Sequence, residues 1–173
     1  RNTNIWKISN SKASSLIMNK DIEEKIMEEL QEQQLVRRGK LAKYQELGID
    51  PFGHKFITNS DSDAIKMEGA NKTAAELEEA NINVTIAGRI VSVRRMGKAS
   101  FFHLKDGKGT IQCYLKKDVV GEEAYALFDL ADLGDIVGAT GRIMITHSGE
   151  VTLRVEKYEH LVKALRPLPE KYH

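Results

Sequence analysis

Between Arg94 and Leu115 the chain reads RRMGKASFFHLKDGKGTIQCYL, with a ring, an imidazole, an amide and a phenol recurring at alternate positions. Strand side chains alternate between two faces. In the first arm Phe102 and Leu104 share one face, while Phe101, His103 and Lys105 share the other. In the second arm Ile111, Cys113 and Leu115 oppose Thr110, Gln112 and Tyr114. The apolar set reads as a core. The polar set, with Arg94, Arg95 and Lys98 just upstream, combines a π-face for stacking, an amide for a base edge and cations for phosphate. That is the chemistry of a single-stranded RNA site. The plainer alternative, two adjacent phenylalanines serving one small core, leaves the flanking basic residues without a role.

The turn Asp106-Gly107-Lys108-Gly109 sets the register. Both apolar sets must land on one side of the sheet, so the numbers of paired residues must sum to an odd number. Pairing Asp106 with Gly109 around a two-residue turn satisfies this. It places His103 opposite Gln112 and Phe101 opposite Tyr114. Phe101 and Gln112 become diagonal neighbours, roughly 7–8 Å apart at the backbone, so one base could stack on the ring and meet the amide.

Other chemistries find no support. There is no Walker-type loop, no GxGxxG after a strand, no HExxH and no CxxC. The five histidines are scattered, which argues against a metal site. By itself the chain is expected to bind rather than catalyse, with no cofactor of its own. Its 173 residues allow one domain plus appendages. The formal net charge of +1 means that a polyanion site must rest on local patches. A single cysteine, Cys113, on the core face suits a reducing, cytoplasmic setting. No apolar run approaches the roughly 20 residues of a membrane span.

The elements that must position the hairpin follow from pattern. Residues 1–20 are basic, acid-poor and contain several Ser and Asn. They read as a non-native, upstream or targeting extension, expected to be disordered, with Met18 as a plausible start. Residues 21–81 read as a helical segment and connector. One long polar helix or a broken pair is expected from Asp21 to Leu47, N-capped by Asp21, with Ile22, Ile26 and Leu30 as a thin apolar stripe that resumes at Leu41 and Tyr44. Its basic cluster Arg37, Arg38, Lys40 and Lys43 suits either a solvated face or a phosphate contact. Ile49 to Gly69 reads as an irregular connector, and Thr73 with Glu76 as the capping box of a short helix.

A folded domain is expected over 82–162. Its first strand alternates from Ile82 to Ile90, with a bend at Gly88 and a bulge near Val91. The hairpin follows, with Arg94 to Lys98 in the loop before it. Then come one helix from about Asp118 to Asp132, a strand from Ile136 to Thr146, a turn at His147-Ser148-Gly149-Glu150, and a last strand from Val151 towards Val162. Three strands, a helix and two strands is the order of a five-stranded OB-fold, a Greek-key barrel. Its strand 2–3 face and its loops 1–2 and 4–5 bind oligonucleotides. The face chosen by residue chemistry is the face chosen by architecture.

Four segments carry a family resemblance: RRGKLAKYQELGIDPFG (37–53), VTIAGRIVSVRRMGKASFFHLKDGKGTIQCYLKKD (84–118), DLGDIVGATGRIMITHSGEVTLRV (132–155) and KALRPLPEKYH (163–173). Together they resemble the N-terminal, anticodon-binding part of bacterial-type class II lysyl-tRNA synthetases. The resemblance implies that Phe101 stacks on the central anticodon base, a uridine, and that Gln112 reads it. It implies that Arg89 approaches the anticodon loop from the first strand, and that Glu150 approaches the first anticodon base from a turn whose Ser148 replaces a commoner threonine. His103 shares that face at a less typical position, and Arg94, Arg95 and Lys98 are expected to contact phosphates. The partner implied is the anticodon stem-loop of tRNA-Lys. Residues 163–173 would be a hinge into a catalytic domain that this chain lacks. ATP, magnesium and homodimer formation belong to the implied parent, an ATP-dependent lysine–tRNA ligase. The alternative is a free-standing OB module that binds single-stranded nucleic acid or, through Phe101 and Tyr114, a partner protein.

Overall fold

The computed structural model describes residues 3–50 and 55–165. Five strands, β1 (Asn83–Met96), β2 (Ala99–Lys105), β3 (Thr110–Lys116), β4 (Ile136–Ile145) and β5 (Val151–Val162), close into a barrel in the order β1-β2-β3-β5-β4. Strand β1 is long enough to pair twice, its first half with β4 and its second with β2. The change of partner falls at Gly88 to Ile90, and a Cβ on Gly88 would lie 3.0 Å from the Lys105 carbonyl oxygen. The expected bend is therefore a corner that leaves no room for a side chain. The register slips between Ile90 and Ser92, so Val91 is the extra residue of the expected bulge.

Alternation built the core as expected. Phe102, Leu104, Ile111, Cys113 and Leu115 are all buried, together with Ile86, Ile90, Val137, Leu153 and Val155. Between β3 and β4 the chain forms α4 (Lys117–Val120) and α5 (Glu122–Asp129) rather than one helix from Asp118 to Asp132. Gly121 at φ 92 breaks the run, a conformation that L side chains rarely adopt. Helix α5 closes one end of the barrel. The Phe128 ring lies 5.1 Å from Phe102 and 5.5 Å from Tyr158, and the Tyr125 hydroxyl donates to the Gly97 carbonyl at 2.7 Å.

The N-terminal half departs more from expectation. Helix α1 runs from Thr3 to Glu46 without a boundary at Asp21, so residues 3–20 are helical rather than disordered. No proline interrupts the run, and its first glycine is Gly39. An aspartate inside a helix costs only a fraction of a kcal/mol, under about 0.7, so the cap signal at Asp21 had no breaker to act with. The stripe of Ile22, Ile26 and Leu30 is exposed. The connector also contains a helix that its polar composition concealed, α2 (Ser62–Ala70), capped by Asp61 accepting from the Ala64 N–H at 2.8 Å. Helix α3 (Ala74–Ala80) has Thr73 as its cap, as expected, accepting from the Glu76 N–H. Among the described residues no helix is long and apolar enough to cross a membrane. The segment beyond Leu165, with most of the expected hinge, lies outside the described residues.

Two residues of the basic cluster of α1, Arg37 and Lys40, dock the helix on the barrel, while Arg38 and Lys43 are exposed. Tyr44 is fully buried and stacks on His160 at 4.3 Å, and buried Arg37 donates to the Ala164 carbonyl at 3.2 Å. Lys40 meets Asp132 at 2.9 Å. Asp132 shares Lys163 with Asp135, whose carboxylate lies 2.8 Å from that buried ammonium and also accepts the Ala164 N–H at 2.9 Å. Burial works to raise both carboxyls, but for Asp132 the hydrogen bonds from Lys163 and Lys40 outweigh it. For Asp135 the His160 ring, 3.6 Å away, and the Lys163 ammonium do so, and both groups titrate below the ordinary carboxylate range.

Removing one member of this buried group leaves an uncompensated charge. Asp135→Ala is expected to destabilise the chain by about 3–5 kcal/mol in urea melts. The folded-state values are depressed, so the stability these carboxyls contribute is present above the unfolded value of about 3.9. It is lost as pH falls through the lower folded values. An acid titration of the Asp135→Ala variant should therefore show a shallower loss of stability than the parent chain.

Candidate nucleic-acid interface

The hairpin register is the one expected from parity. His103 faces Gln112, Phe101 faces Tyr114, and the Asp106 N–H donates to the Gly109 carbonyl at 2.9 Å. Asp106 also accepts from the N–H groups of Lys108 at 2.8 Å and Gly109 at 3.0 Å. From outside the turn, the Ser62 hydroxyl and N–H each donate to it at 2.7 Å. Burial acts to raise this carboxyl, but the Ser62, Lys108 and Gly109 bonds outweigh it and hold it below the ordinary carboxylate value.

Pairing through the neighbouring strands extends the hairpin into two cross-barrel rows. One row runs Arg94, Phe101, Tyr114, Arg154; the next runs Ser92, His103, Gln112, Thr152. The first is aromatic and cationic, the second hydrogen-bonding. Arg94 and Phe101 of the first row and Ser92, His103 and Gln112 of the second line a groove of about 400 Å³ with the β4–β5 turn at its side. The groove takes in Phe101, His103 and Gln112, with Arg94 and Ser92 from β1 and Thr146, Ser148 and Glu150 from the turn. That turn is closed by Thr146 N–H donating to the Glu150 carbonyl at 3.0 Å, with Gly149 at φ 88.

The groove positions its polar groups before any ligand arrives. The Gln112 amide donates from Nε2 to the Thr152 hydroxyl at 3.2 Å, and that hydroxyl donates to the Glu150 carbonyl at 3.1 Å. The amide is thus not wholly free, as its exposed face had implied; one N–H is spent on orientation. Its other N–H and its carbonyl oxygen remain for a base. His103 Nδ1 lies 2.7 Å from the Ser92 hydroxyl, and its Nε2 lies 3.6 Å from a Glu150 carboxylate oxygen. His103 therefore bridges strand β1 to the turn that carries Glu150. Phe101 and Tyr114 rings lie 4.9 Å apart, tilted by 42°.

The expected cations separate. Arg94 lines the groove beside Phe101. Both Arg94 and Arg95 belong to β1, not to a loop, so strand parity sends them to opposite faces. Arg95 turns to α5, its guanidinium 5.4 Å from the Phe128 ring centre, 3.7 Å from Asp129 and donating to the Ala131 carbonyl at 3.4 Å. It is a docking residue for the helix and is not in the groove. Lys98 lies in the exposed β1–β2 turn outside the groove lining. Arg89 pairs with Lys105, two residues along β2 from His103 and so on the same face, and donates to the Gly134 carbonyl at 3.2 Å. Ser92, Thr152 and Thr146 were not anticipated. Ser92 is reached through the β1–β2 register and Thr146 through the β4–β5 turn, while Thr152 depends on the parallel β3–β5 register.

Comparison with known proteins agrees with this geometry. Residues 84–161 match the family described as OB-fold nucleic acid binding domain. The match spans the five-stranded barrel. A lysine–tRNA ligase of Streptococcus thermophilus is 50% identical over 147 residues, which cover 85% of this chain and 30% of that protein. Lysine–tRNA ligases of Streptococcus pneumoniae and Enterococcus faecalis are likewise 50% identical over 147 residues, again 85% of this chain and 30% of theirs. The chain thus spans under a third of the length of these relatives, and it is homologous to their N-terminal region.

Opposite faces of one strand should answer differently to the same change. Phe102→Ala empties part of the core and should cost about 3–5 kcal/mol. Phe101→Ala lies in the groove and should cost about 1 kcal/mol or less. Thermal melts of the two variants check the assignment; a larger loss at Phe101 would contradict it.

Proposed function

We propose that the groove binds the single-stranded anticodon of a lysine tRNA, with Phe101 stacking on the central uracil and Gln112 reading it. The observation that carries this is the amide held by Thr152 diagonally across from the Phe101 ring. A uracil on the ring can donate its N3–H to the Gln112 carbonyl oxygen and accept the remaining Gln112 N–H at a carbonyl. Cytosine presents an acceptor and an amino donor at those positions, so both hydrogen bonds would fail. A built amide of this kind discriminates by about 1–3 kcal/mol.

Glu150, oriented by His103 and the turn, suits the neighbouring first anticodon base. Arg94 and Lys98 suit phosphates, and Arg89 the flank of the same face. In the parent protein this recognition would serve attachment of lysine to tRNA. ATP and magnesium would be held by a separate catalytic domain, in a cytoplasmic homodimer, and no step through them is assigned to residues of this chain. The reading as a protein-interaction module gains nothing from a groove lined by oriented hydrogen-bonding groups.

Two measurements test the reading. Gln112→Ala should weaken binding of a U-centred anticodon stem-loop and narrow its advantage over a C-centred loop, with little change in melting. An undiminished U-over-C preference would assign the discrimination elsewhere. Neutralising Arg94 should lower the slope of log affinity against log salt by about 0.7, equally for both loops. Arg95→Gln should leave that slope unchanged and lower stability instead, because Arg95 holds α5.

A further inference from the structure

Glu150 is pinned at its backbone and lightly held at its side chain. Its N–H donates to the Thr146 hydroxyl at 3.2 Å, and its carbonyl accepts from the Thr146 N–H at 3.0 Å and the Thr152 hydroxyl at 3.1 Å. The exposed carboxylate has one charged partner among the described residues, the half-buried His103 ring. That ring is itself a bridge: Nδ1 lies 2.7 Å from the Ser92 hydroxyl and Nε2 3.6 Å from the carboxylate. A neutral imidazole donates from one nitrogen and accepts at the other, whereas an imidazolium donates from both. Both neighbours here, a hydroxyl oxygen and a carboxylate, can accept. The Nε2 contact is longer than a hydrogen bond, so in the free groove the bridge stands slightly open. The charged and titratable groups around the ring are Arg94 diagonally on β1, Lys105 on β2, Tyr114 diagonally on β3 and Glu150 in the turn, where the adjoining His147 is exposed. The two cations oppose a charge on the ring, and the carboxylate favours one.

We infer that His103 is a positioning residue for the first-base subsite: when the stem-loop binds, the ring takes up a proton and donates to Ser92 and Glu150 at once. One carboxylate oxygen is then fixed by the ring, and the other is left for a base N–H. The proton comes from solvent, and no covalent bond of the RNA changes. The direction of the linkage follows from charge. Phosphates that enter the groove engage Arg94, bring negative charge beside Glu150 and displace water that screens it. A protonated ring offsets charge that the free groove leaves to solvent. Histidine is the side chain whose charge ordinarily changes between about pH 5 and 8, so binding should strengthen as pH falls through that range. This inference rests on the anticodon reading of the groove.

The test is calorimetry of the whole chain with a U-centred anticodon stem-loop, at pH 6 and pH 8 and in buffers of different ionisation enthalpy, with a C-centred loop as reference. Binding should take up protons, and affinity should rise by a factor of about 2 to 5 from pH 8 to pH 6. His103→Gln keeps a side-chain N–H for the bridge but carries no charge, so it should bind with no such rise. Glu150→Gln should also lose the rise, because the ring then has no carboxylate to answer. His147→Gln should keep it. A parent chain that takes up no proton overturns the inference, as does an unchanged pH dependence in His103→Gln. A pH dependence lost in His103→Gln but kept in Glu150→Gln would mean that the ring meets phosphate directly, and overturns it too. In each of these cases a persisting U-over-C preference leaves the anticodon reading intact. Equal binding of the two loops by the parent chain at both pH values overturns that reading itself.

Discussion

Everything on the binding face depends on the register of one hairpin, and that register is fixed around Asp106. Its carboxylate takes N–H groups from Lys108 and Gly109 inside the turn and the Ser62 hydroxyl and N–H from outside it. A slip of one residue would set the apolar residues of the two arms on opposite faces, turning either Phe102 and Leu104 or Ile111 and Cys113 to solvent and burying polar-face residues of that arm in their place. The core and the groove are therefore one decision. Helix α2 takes part in that decision, because Ser62 is its first residue and binds the turn directly.

A second constraint acts at the far side of the barrel. Lys163, buried among Asp132 and Asp135, fixes the end of β5 against the segment before β4, and Lys40, Arg37 and Tyr44 bring the last turns of α1 to the same point. Buried ion groups are weak evidence for net stability but strongly resist the loss of one partner. Here they fix where a long helix meets the barrel. The groove lies on other residues, so helix attachment and base recognition use separate side chains.

What was legible in the sequence followed strict periodicity. Alternation fixed the hairpin faces, the bulge near Val91 and the strand order, and the tight turn fixed which residues face each other. What was not legible came from contacts between distant segments. Thr152 could be found as the partner of Gln112 only through the parallel β3–β5 pairing, which no local signal encodes. Arg95 was misplaced because β1 continues to Met96, beyond its apolar pattern, so a residue expected in a loop obeys strand parity instead. Helix α2 was concealed by a polar cluster that is in fact its cap, and the expected boundary at Asp21 failed because a cap without a breaker does not end a helix.

The central claim is that an oriented polar groove on the outer face of β2 and β3, and not the basic face of α1, receives the anticodon. The most direct measurement is a titration of the ¹⁵N-labelled chain with a U-rich anticodon stem-loop, followed by amide chemical shifts. The groove reading predicts that the largest shifts fall on Ser92, Arg94, Phe101, His103, Gln112 and Thr146 to Thr152, with Asp132, Asp135 and Lys163 unmoved. Shifts concentrated on Arg37 to Tyr44, with β2 and β3 silent, would contradict it.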